Sequence, residues 1–247
     1  MLPAGMHTEF HEAGVKYEAR ITEVRQATPS IKTFRIEHGN EGFDFLPGQW
    51  IDLFADVQGE HVVGGYSMTS APEQRGSLEL AIKYSESHTL THHLHTRAAV
   101  GDTVWISAGS GSFYYQRPMG DRVVLIGAGI GVTPMLSILR HIHRGEPEVS
   151  ATLLYGVSVE EEILFRDELG TMAQENPRVR LMITVSQPSP DWQGLRGRID
   201  VDKLREANLG PDSLYFLCGP PGMVEETAAS LEDLGVPPAR IRYEKWW

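Results

Sequence analysis

The period of the hydrophobic pattern changes once along this chain, and that change limits the fold more than any other feature. Up to about residue 107 the period is mostly two. Ala19, Ile21 and Val24 are spaced as a strand with a bulge, and Ile31, Phe34 and Ile36 as a second. Residues 50–54, 62–63, 78–82 and 103–106 continue the series, separated by turn signals at Pro47-Gly48, Gly59, Gly76 and Gly101-Asp102. Alternation of this kind marks half-buried strands. Six of them in succession predict a small antiparallel barrel or sandwich. After Pro118 the pattern becomes continuous. Val123-Val124-Leu125-Ile126 is apolar throughout, as a strand covered on both faces requires. Further strands are expected at 151–155, 181–185, 214–217 and 241–243. Helices are expected after Thr133 as N-cap with Pro134 in the first turn, then over 160–175 and 224–234. Strands alternating with helices predict a doubly wound parallel sheet, here of five strands. The chain divides accordingly into a loose tail (1–14), a six-stranded antiparallel β-barrel domain (15–116) and a parallel α/β domain (117–247).

Composition narrows the chemistry. The 247 residues contain a single cysteine, Cys218. It excludes an intrachain disulfide, and a thiolate zinc site or an iron–sulfur cluster needs several cysteines on one chain. Electron chemistry here must therefore use a bound organic cofactor or a separate partner. Lys and Arg number 22 against 33 Asp and Glu, a net charge of −11 with no basic run. That balance argues against nucleic acid and anionic membrane as partners. Residues 123–139 are the most apolar stretch, but Gly127, Gly129, Gly131 and Pro134 interrupt it, and it is too short for a membrane span. No leader-like apolar segment opens the chain, so a cytoplasmic, soluble protein is expected.

The segment Gly127-Ala128-Gly129-Ile130-Gly131-Val132-Thr133-Pro134 joins the first parallel strand to its helix. Glycines at such a turn let the backbone approach a pyrophosphate, which then rests on the helix N-terminus. Their spacing (i, i+2, i+4) is not the usual dinucleotide fingerprint. The next strand ends at Tyr155-Gly156-Val157-Ser158, followed by Val159 and three glutamates, Glu160 to Glu162. No Lys or Arg stands there to pair a ribose 2′-phosphate, and three acids would repel one, which favours NADH over NADPH. The same glutamates also read simply as first-turn helix acids.

Seven motifs in register carry a resemblance. They are residues 45–50 (FLPGQW), 64–70 (GGYSMTS), Val100-Gly101-Asp102, the glycine loop, Tyr155-Gly156, 164–169 (LFRDEL) and 218–223 (CGPPGM). In that order, across the change from barrel to α/β pattern, the chain resembles the ferredoxin–NADP⁺ reductase superfamily over residues 17–247. It looks most like the small stand-alone members, including the oxidoreductase-NAD-binding-domain proteins. The resemblance implies a barrel that holds FAD and an α/β domain that binds NADH, with NADPH as the alternative. Hydride would pass from nicotinamide C4 to flavin N5. Electrons would then leave to a separate acceptor: a ferredoxin, a flavodoxin, an oxygenase component or a small molecule.

Carried over by position, Tyr66 would pack against the isoalloxazine and Ser67 would hydrogen-bond near N5, with Gly64, Gly65, Met68 and Thr69 around them. Tyr66 also reads as plain barrel core. Ile82, Lys83 and Tyr84 would lie along the phosphate or adenine end. Leu90 and Thr91 would open a short helix towards the pyrophosphate, although Thr91 reads equally as an N-cap. Gly127, Gly129, Gly131, Thr133 and Pro134 would hold the dinucleotide, with Gly156 and Ser158 at its ribose. Cys218, Gly219, Pro220 and Met223 would shape the nicotinamide pocket. Glu244 would assist proton delivery, and Trp246 or Trp247 would cover the flavin face.

One position departs from the family. Its tyrosine motif normally carries an arginine where this chain has Gly64, which removes a charge-assisted phosphate contact. Lys83, His92 or His93 would have to supply the charge. The other reading is a dinucleotide-binding module with weak or lost flavin. An ordinary dehydrogenase fits less well, because the barrel half offers no evident acid/base pair. His88, His92, His93 and His95 cluster, but few acids and no cysteine accompany them, and no metal site is expected. Arg20, Arg25, Lys32 and Arg35 are near enough in sequence to cluster as an acceptor-docking patch.

Overall fold

The computed structural model describes residues 16–39, 42–208, 210 and 212–244. The expected tail and the positions of Trp246 and Trp247 lie outside the described residues. Five strands open the fold: β1 (Lys16–Gln26), β2 (Ile31–His38), β3 (Trp50–Val57), β4 (Glu60–Ser67) and β5 (Ser77–Lys83). Helix α1 (Thr89–Thr96) separates them from β6 (Thr103–Ser107). The six form an antiparallel sheet in the order β4-β3-β6-β1-β2-β5. A bridge between Met68 and Leu80 joins its two edges and curls it into a barrel. The period of two does what the sequence implies. Phe34, Ile36, Ile51, Leu53, Leu78, Leu80 and Ile106 point into one shared core, each at most 1% exposed. The register of β1 against β2 slips between Ile21 and Glu23, where the bulge was expected.

The second half contains β7 (Arg122–Ala128), α2 (Thr133–Gly145), β8 (Ser150–Val157), α3 (Arg166–Glu175), β9 (Val179–Val185) and β10 (Leu195–Arg196). It ends with α4 (Val201–Ala207), β11 (Leu214–Cys218), α5 (Pro221–Asp233) and β12 (Ile241–Glu244). All pairings are parallel, in the order β10-β9-β8-β7-β11-β12. The sheet has six strands rather than five. The extra one, β10, is a two-residue edge strand beside Thr184 and Val185, too short to show any periodicity. Val123 and Leu125 face the core under α2 and α3, while Val124 and Ile126 face the one under α4 and α5. Burial on both sides explains the unbroken apolar run.

Three helix expectations need correction. Thr133 is not an N-cap. Residues Gly129–Val132 form a 3-10 turn, Val132 is already helical, and Thr133 is the first residue of α2, its hydroxyl donating to Ile130 O at 2.9 Å. Residues 160–175 are not one helix. A 3-10 turn over Glu160–Glu162 is followed by extended Ile163 and by Phe165 in the left-handed region (φ 54°) before α3 begins. Burial of Ile163 and Leu164 under the sheet outweighs helix continuation. Helix α5 begins at Pro221 rather than at 224, and α4, capped by Asp200 on the N–H of Lys203 at 3.0 Å, was not anticipated. Among the described residues no helix is long and apolar enough to cross a membrane.

Candidate functional site

In the parallel sheet the chain starts at β7, runs outward through β8 and β9, then returns to β11 on the other side of β7. The carboxyl ends of β7 and β11 therefore flank the switch point, where open α/β sheets place their ligands. Gly127 and Cys218 are the last register pair there, and Cys218 also pairs with Glu244 on β12. The glycine turn lies against this end. A Cβ on Gly131 would fall 2.4 Å from the Cys218 carbonyl oxygen and 2.6 Å from Gly219 N. Backbone cannot yield at such a distance, so only glycine lets the turn sit there. Gly129 takes φ +55°, which glycine adopts without cost. Together they bring the N-terminus of α2, with buried Thr133 and Pro134, to the mouth of the crevice.

Gly156 and Ser158 close the adjoining side. Gly156 pairs with Ala128 and Thr184, and Ser158 is exposed at the tip of β8. The three glutamates beside it reach different partners. Glu162 accepts the hydroxyls of Thr28 and Ser30, both at 2.7 Å, from the barrel. Glu160 accepts the backbone N–H (2.8 Å) and hydroxyl (3.0 Å) of Ser189. Glu161 alone is exposed.

Burial, with Glu244 nearby, pushes the Cys218 thiol up to about 12 and keeps it neutral. A thiol held protonated is a poor nucleophile. Burial pushes the Glu244 carboxyl up to about 7, and its Oε2 is buried with no hydrogen-bond partner. Among the described residues it is the only carboxylate oxygen in that condition. Buried polar atoms are ordinarily paired, so an orphan acid at a crevice marks a place for a ligand. Glu244 also faces the barrel half: a Cβ on Gly111 would come within 3.8 Å of its Oε1 and 2.6 Å of Trp50 Nε1. Beyond Cys218 the methyl of Met223 folds over Gly219, and Pro220 is exposed at the start of α5.

In the barrel the structure brings Gly64, Tyr66 and Thr91 together and adds His88. The Tyr66 hydroxyl lies 2.9 Å from Thr91 Oγ1, and burial pushes its phenol up to about 12. His88, not Thr91, caps α1: its Nδ1 accepts the Thr91 N–H at 3.3 Å and lies 3.1 Å from Thr91 Oγ1. A Cβ on Gly64 would meet the Tyr66 hydroxyl at 2.8 Å and His88 Cε1 at 3.0 Å. The space from which an arginine would grow is thus taken by a tyrosine and a histidine. Lys83 and Tyr84 are exposed, and the Tyr84 ring stands against His92 and His95.

Other predicted contacts lie deeper. Met68 is wholly buried and its N–H is spent on Gln49 O. Thr69 is wholly buried with its hydroxyl on Glu79 at 2.7 Å. Ile82 and Leu90 belong to the barrel core. Their side chains support the cradle from behind. Ser67 is 6% exposed and Gly65 is half-buried. The histidines form no metal-binding group among the described residues. His95 donates to Ile82 O at 2.8 Å, and burial lowers its pKa. Nor do the basic residues of β1 and β2 form a free patch. Arg25 and Arg35 share Glu23, Lys32 donates to His95 O and Arg20 to Gly101 O. The histidine run was visible in the sequence. Nothing in it singled out His88, because its role depends on Gly64 and Tyr66 lying opposite.

Comparison with known proteins identifies the family. The Oxidoreductase FAD-binding domain family matches residues 18–115, and the Oxidoreductase NAD-binding domain family matches residues 125–229. The chain is 32% identical to oxidoreductase NAD-binding domain-containing protein 1 of Danio rerio, over 94% of this chain and 92% of that protein. It is 31% identical to ferredoxin–NADP reductase B of Sorangium cellulosum, over 93% and 97%. Among solved structures, the cytochrome b5 reductase domain of Ulva prolifera nitrate reductase superposes with a TM-score of 0.82 at 27% identity, covering 93% of this chain and 97% of that one.

Proposed function

Because the chain belongs to the ferredoxin–NADP⁺ reductase superfamily and is a flavin-dependent NAD(P)H oxidoreductase, we propose that it moves hydride from NADH to FAD at the Cys218–Glu244 seam and hands the electrons to a separate acceptor. The observation that carries this reading is the buried Oε2 of Glu244, without a hydrogen-bond partner among the described residues, on a carboxyl set beside Cys218 and facing the barrel. FAD, when bound, supplies the ring that takes the hydride and releases electrons onward. The residues present fit both groups: a turn too close-packed for a Cβ at one site, and a hydroxyl–imidazole cluster of Tyr66, Thr91 and His88 at the other.

In the α/β half (117–247), Gly127, Gly129, Gly131, Thr133 and Pro134 hold the dinucleotide pyrophosphate on the start of α2. Gly156 and Ser158 receive the ribose. Cys218, Gly219, Pro220 and Met223 wall the nicotinamide and set its approach. In the barrel half (15–116), Tyr66 packs on the flavin ring with Ser67 at its edge. Thr91, Lys83 and Tyr84 serve the phosphate and adenine end. Glu244 holds a proton near neutral pH, and that proton would balance the single negative charge that a hydride brings. NADH is the preferred donor, since exposed Glu161 would repel a 2′-phosphate and no Lys or Arg stands between Tyr155 and Glu162 to pair one; a higher kcat/KM for NADPH would reverse this.

The test is the visible spectrum of the purified protein. Flavin absorbance bleached by NADH is the expected result. Gly64 favours the second reading, a dinucleotide-binding module without flavin, and a colourless protein that refuses added FAD would establish that reading instead. The pH profile tests Glu244. The wild-type rate should fall as pH rises through about 7, because the protonated fraction of Glu244 falls. Glu244→Gln should flatten this limb and lower the rate at pH 6 by about tenfold or more. Stability moves the other way. The folded protein holds this proton more tightly than the unfolded chain, so the charged form weakens the fold at high pH. Glu244→Gln should raise Tm at pH 8 and leave it nearly unchanged at pH 4.

A further inference from the structure

Helix α2 carries Ser137, Arg140 and His141 at i, i+3 and i+4, a polar stripe on a helix whose other core positions past its first residue are apolar. All three reach the stretch of the barrel that follows Tyr66 and Ser67. Ser137 Oγ donates to Ser70 O at 2.8 Å and accepts the Gly48 N–H at 3.2 Å. His141 Nδ1 lies 2.6 Å from Glu73 Oε1. Between them, Arg140 Nη1 donates to Thr69 O at 2.9 Å and to Glu79 Oε1 at 2.7 Å. Its Nε and Nη2 grip the two oxygens of Glu168, each at 2.7 Å. The Phe165 ring covers the guanidinium at 4.5 Å, and the Arg140 side chain is only 7% exposed.

We propose that Arg140 is the positioning residue that fixes how the nicotinamide half meets the flavin half; this rests on the reductase reading above. Its guanidinium splices three elements: α2, whose first turn faces the dinucleotide; α3, through Glu168; and β5 with the residue after Met68, through Glu79 and Thr69. Glu79 also accepts the Thr69 hydroxyl at 2.7 Å, so the loop and the strand are gripped together. A buried cation with two carboxylates is a weak device for stability alone, since apolar residues of similar size often serve as well. A planar fork, however, fixes direction as well as distance, which a lysine cannot copy. Direction matters here because an error of about 1 Å between hydride donor and acceptor can cost up to about a hundredfold in rate.

The experiment compares the FAD-loaded wild type with two variants. Arg140→Lys keeps the charge and loses the fork. The triple variant Arg140→Met/Glu79→Gln/Glu168→Met removes all three charges and leaves an acceptor for Thr69. In both, FAD and NADH dissociation constants should stay within about threefold of wild type. Flavin bleaching at saturating NADH should slow by about tenfold or more, and the long-wavelength absorbance of nicotinamide stacked on reduced flavin should weaken. In the cofactor-free protein, Arg140→Lys should speed amide exchange at Ser70 and Gly48. A triple variant that recovers Tm but not rate separates alignment from folding. Unchanged bleaching in the folded variants, or unchanged exchange at Ser70 and Gly48, would overturn the proposal. A wild type that binds FAD and NADH without bleaching would instead overturn the reductase reading and leave the exchange measurement to decide the role of Arg140.

Discussion

The two cofactor cradles proposed for this molecule are built from different materials. At the β7–β11 switch point the cradle is backbone: the turn at Gly131 lies so close to Cys218 O that no side chain fits between them. In the barrel the cradle is side chain: Tyr66 from β4 meets Thr91 and His88 from α1, above a glycine that makes room for them. A backbone cradle is rigid and intolerant of any added atom. A side-chain cradle is adjustable, because a tyrosine ring can swing where a carbonyl cannot, so its losses should be smaller and should spread over several partners.

Mutations at the two sites should therefore behave differently. The largest effect is expected at the backbone cradle. Gly131→Ala must push the turn off Cys218, at a cost of about 1–3 kcal/mol by overpacking. NADH should weaken by roughly tenfold or more, while FAD binding stays unchanged. Urea melts and NADH titration measure both, and a fully tolerated alanine would break the distinction between the cradles. Thr91→Val comes next. It leaves the buried Tyr66 hydroxyl without its partner, for a loss of about 1–2 kcal/mol, and should weaken FAD several-fold with NADH untouched. The smallest effect is expected for Gly64→Ala. Its Cβ displaces the far end of Tyr66 rather than backbone, so the cost should stay below about 1 kcal/mol. It should also be non-additive with Thr91→Val, since both break one contact. Strict additivity of the two would mean that Tyr66 and Thr91 are not acting as a pair.

The legibility of each cradle in the sequence follows the same division. Gly127 to Pro134 could be read as a turn onto a helix because glycine content itself states that a backbone approaches closely. Even so, the position of Thr133 was misjudged, since a 3-10 turn looks like a helix start in residue order. Tyr66 and Ser67 were readable only through a resemblance. Met68, Thr69, Ile82 and Leu90 are buried, and a motif does not say which of its residues the fold turns inward. His88 and Arg140 were not readable at all as site residues. Their partners lie across the fold: Gly64 for His88, and Thr69, Glu79 and Glu168 for Arg140.

The sequence by itself determined what local physics can encode. The change from period two to unbroken apolar strands set a barrel before a parallel sheet, since side-chain alternation and two-sided burial are properties of a strand wherever it packs. The lone cysteine removed on-chain clusters, and the glycines marked where backbone must come close. Tertiary structure alone decided which polar groups meet. It turned Glu162 towards the barrel and Glu160 towards Ser189, left Glu244 Oε2 beside Cys218 without a hydrogen-bond partner among the described residues, and set Arg140 between the halves. The reason is that pairing and desolvation depend on elements brought together from distant parts of the chain, and no residue carries that information in its own neighbourhood.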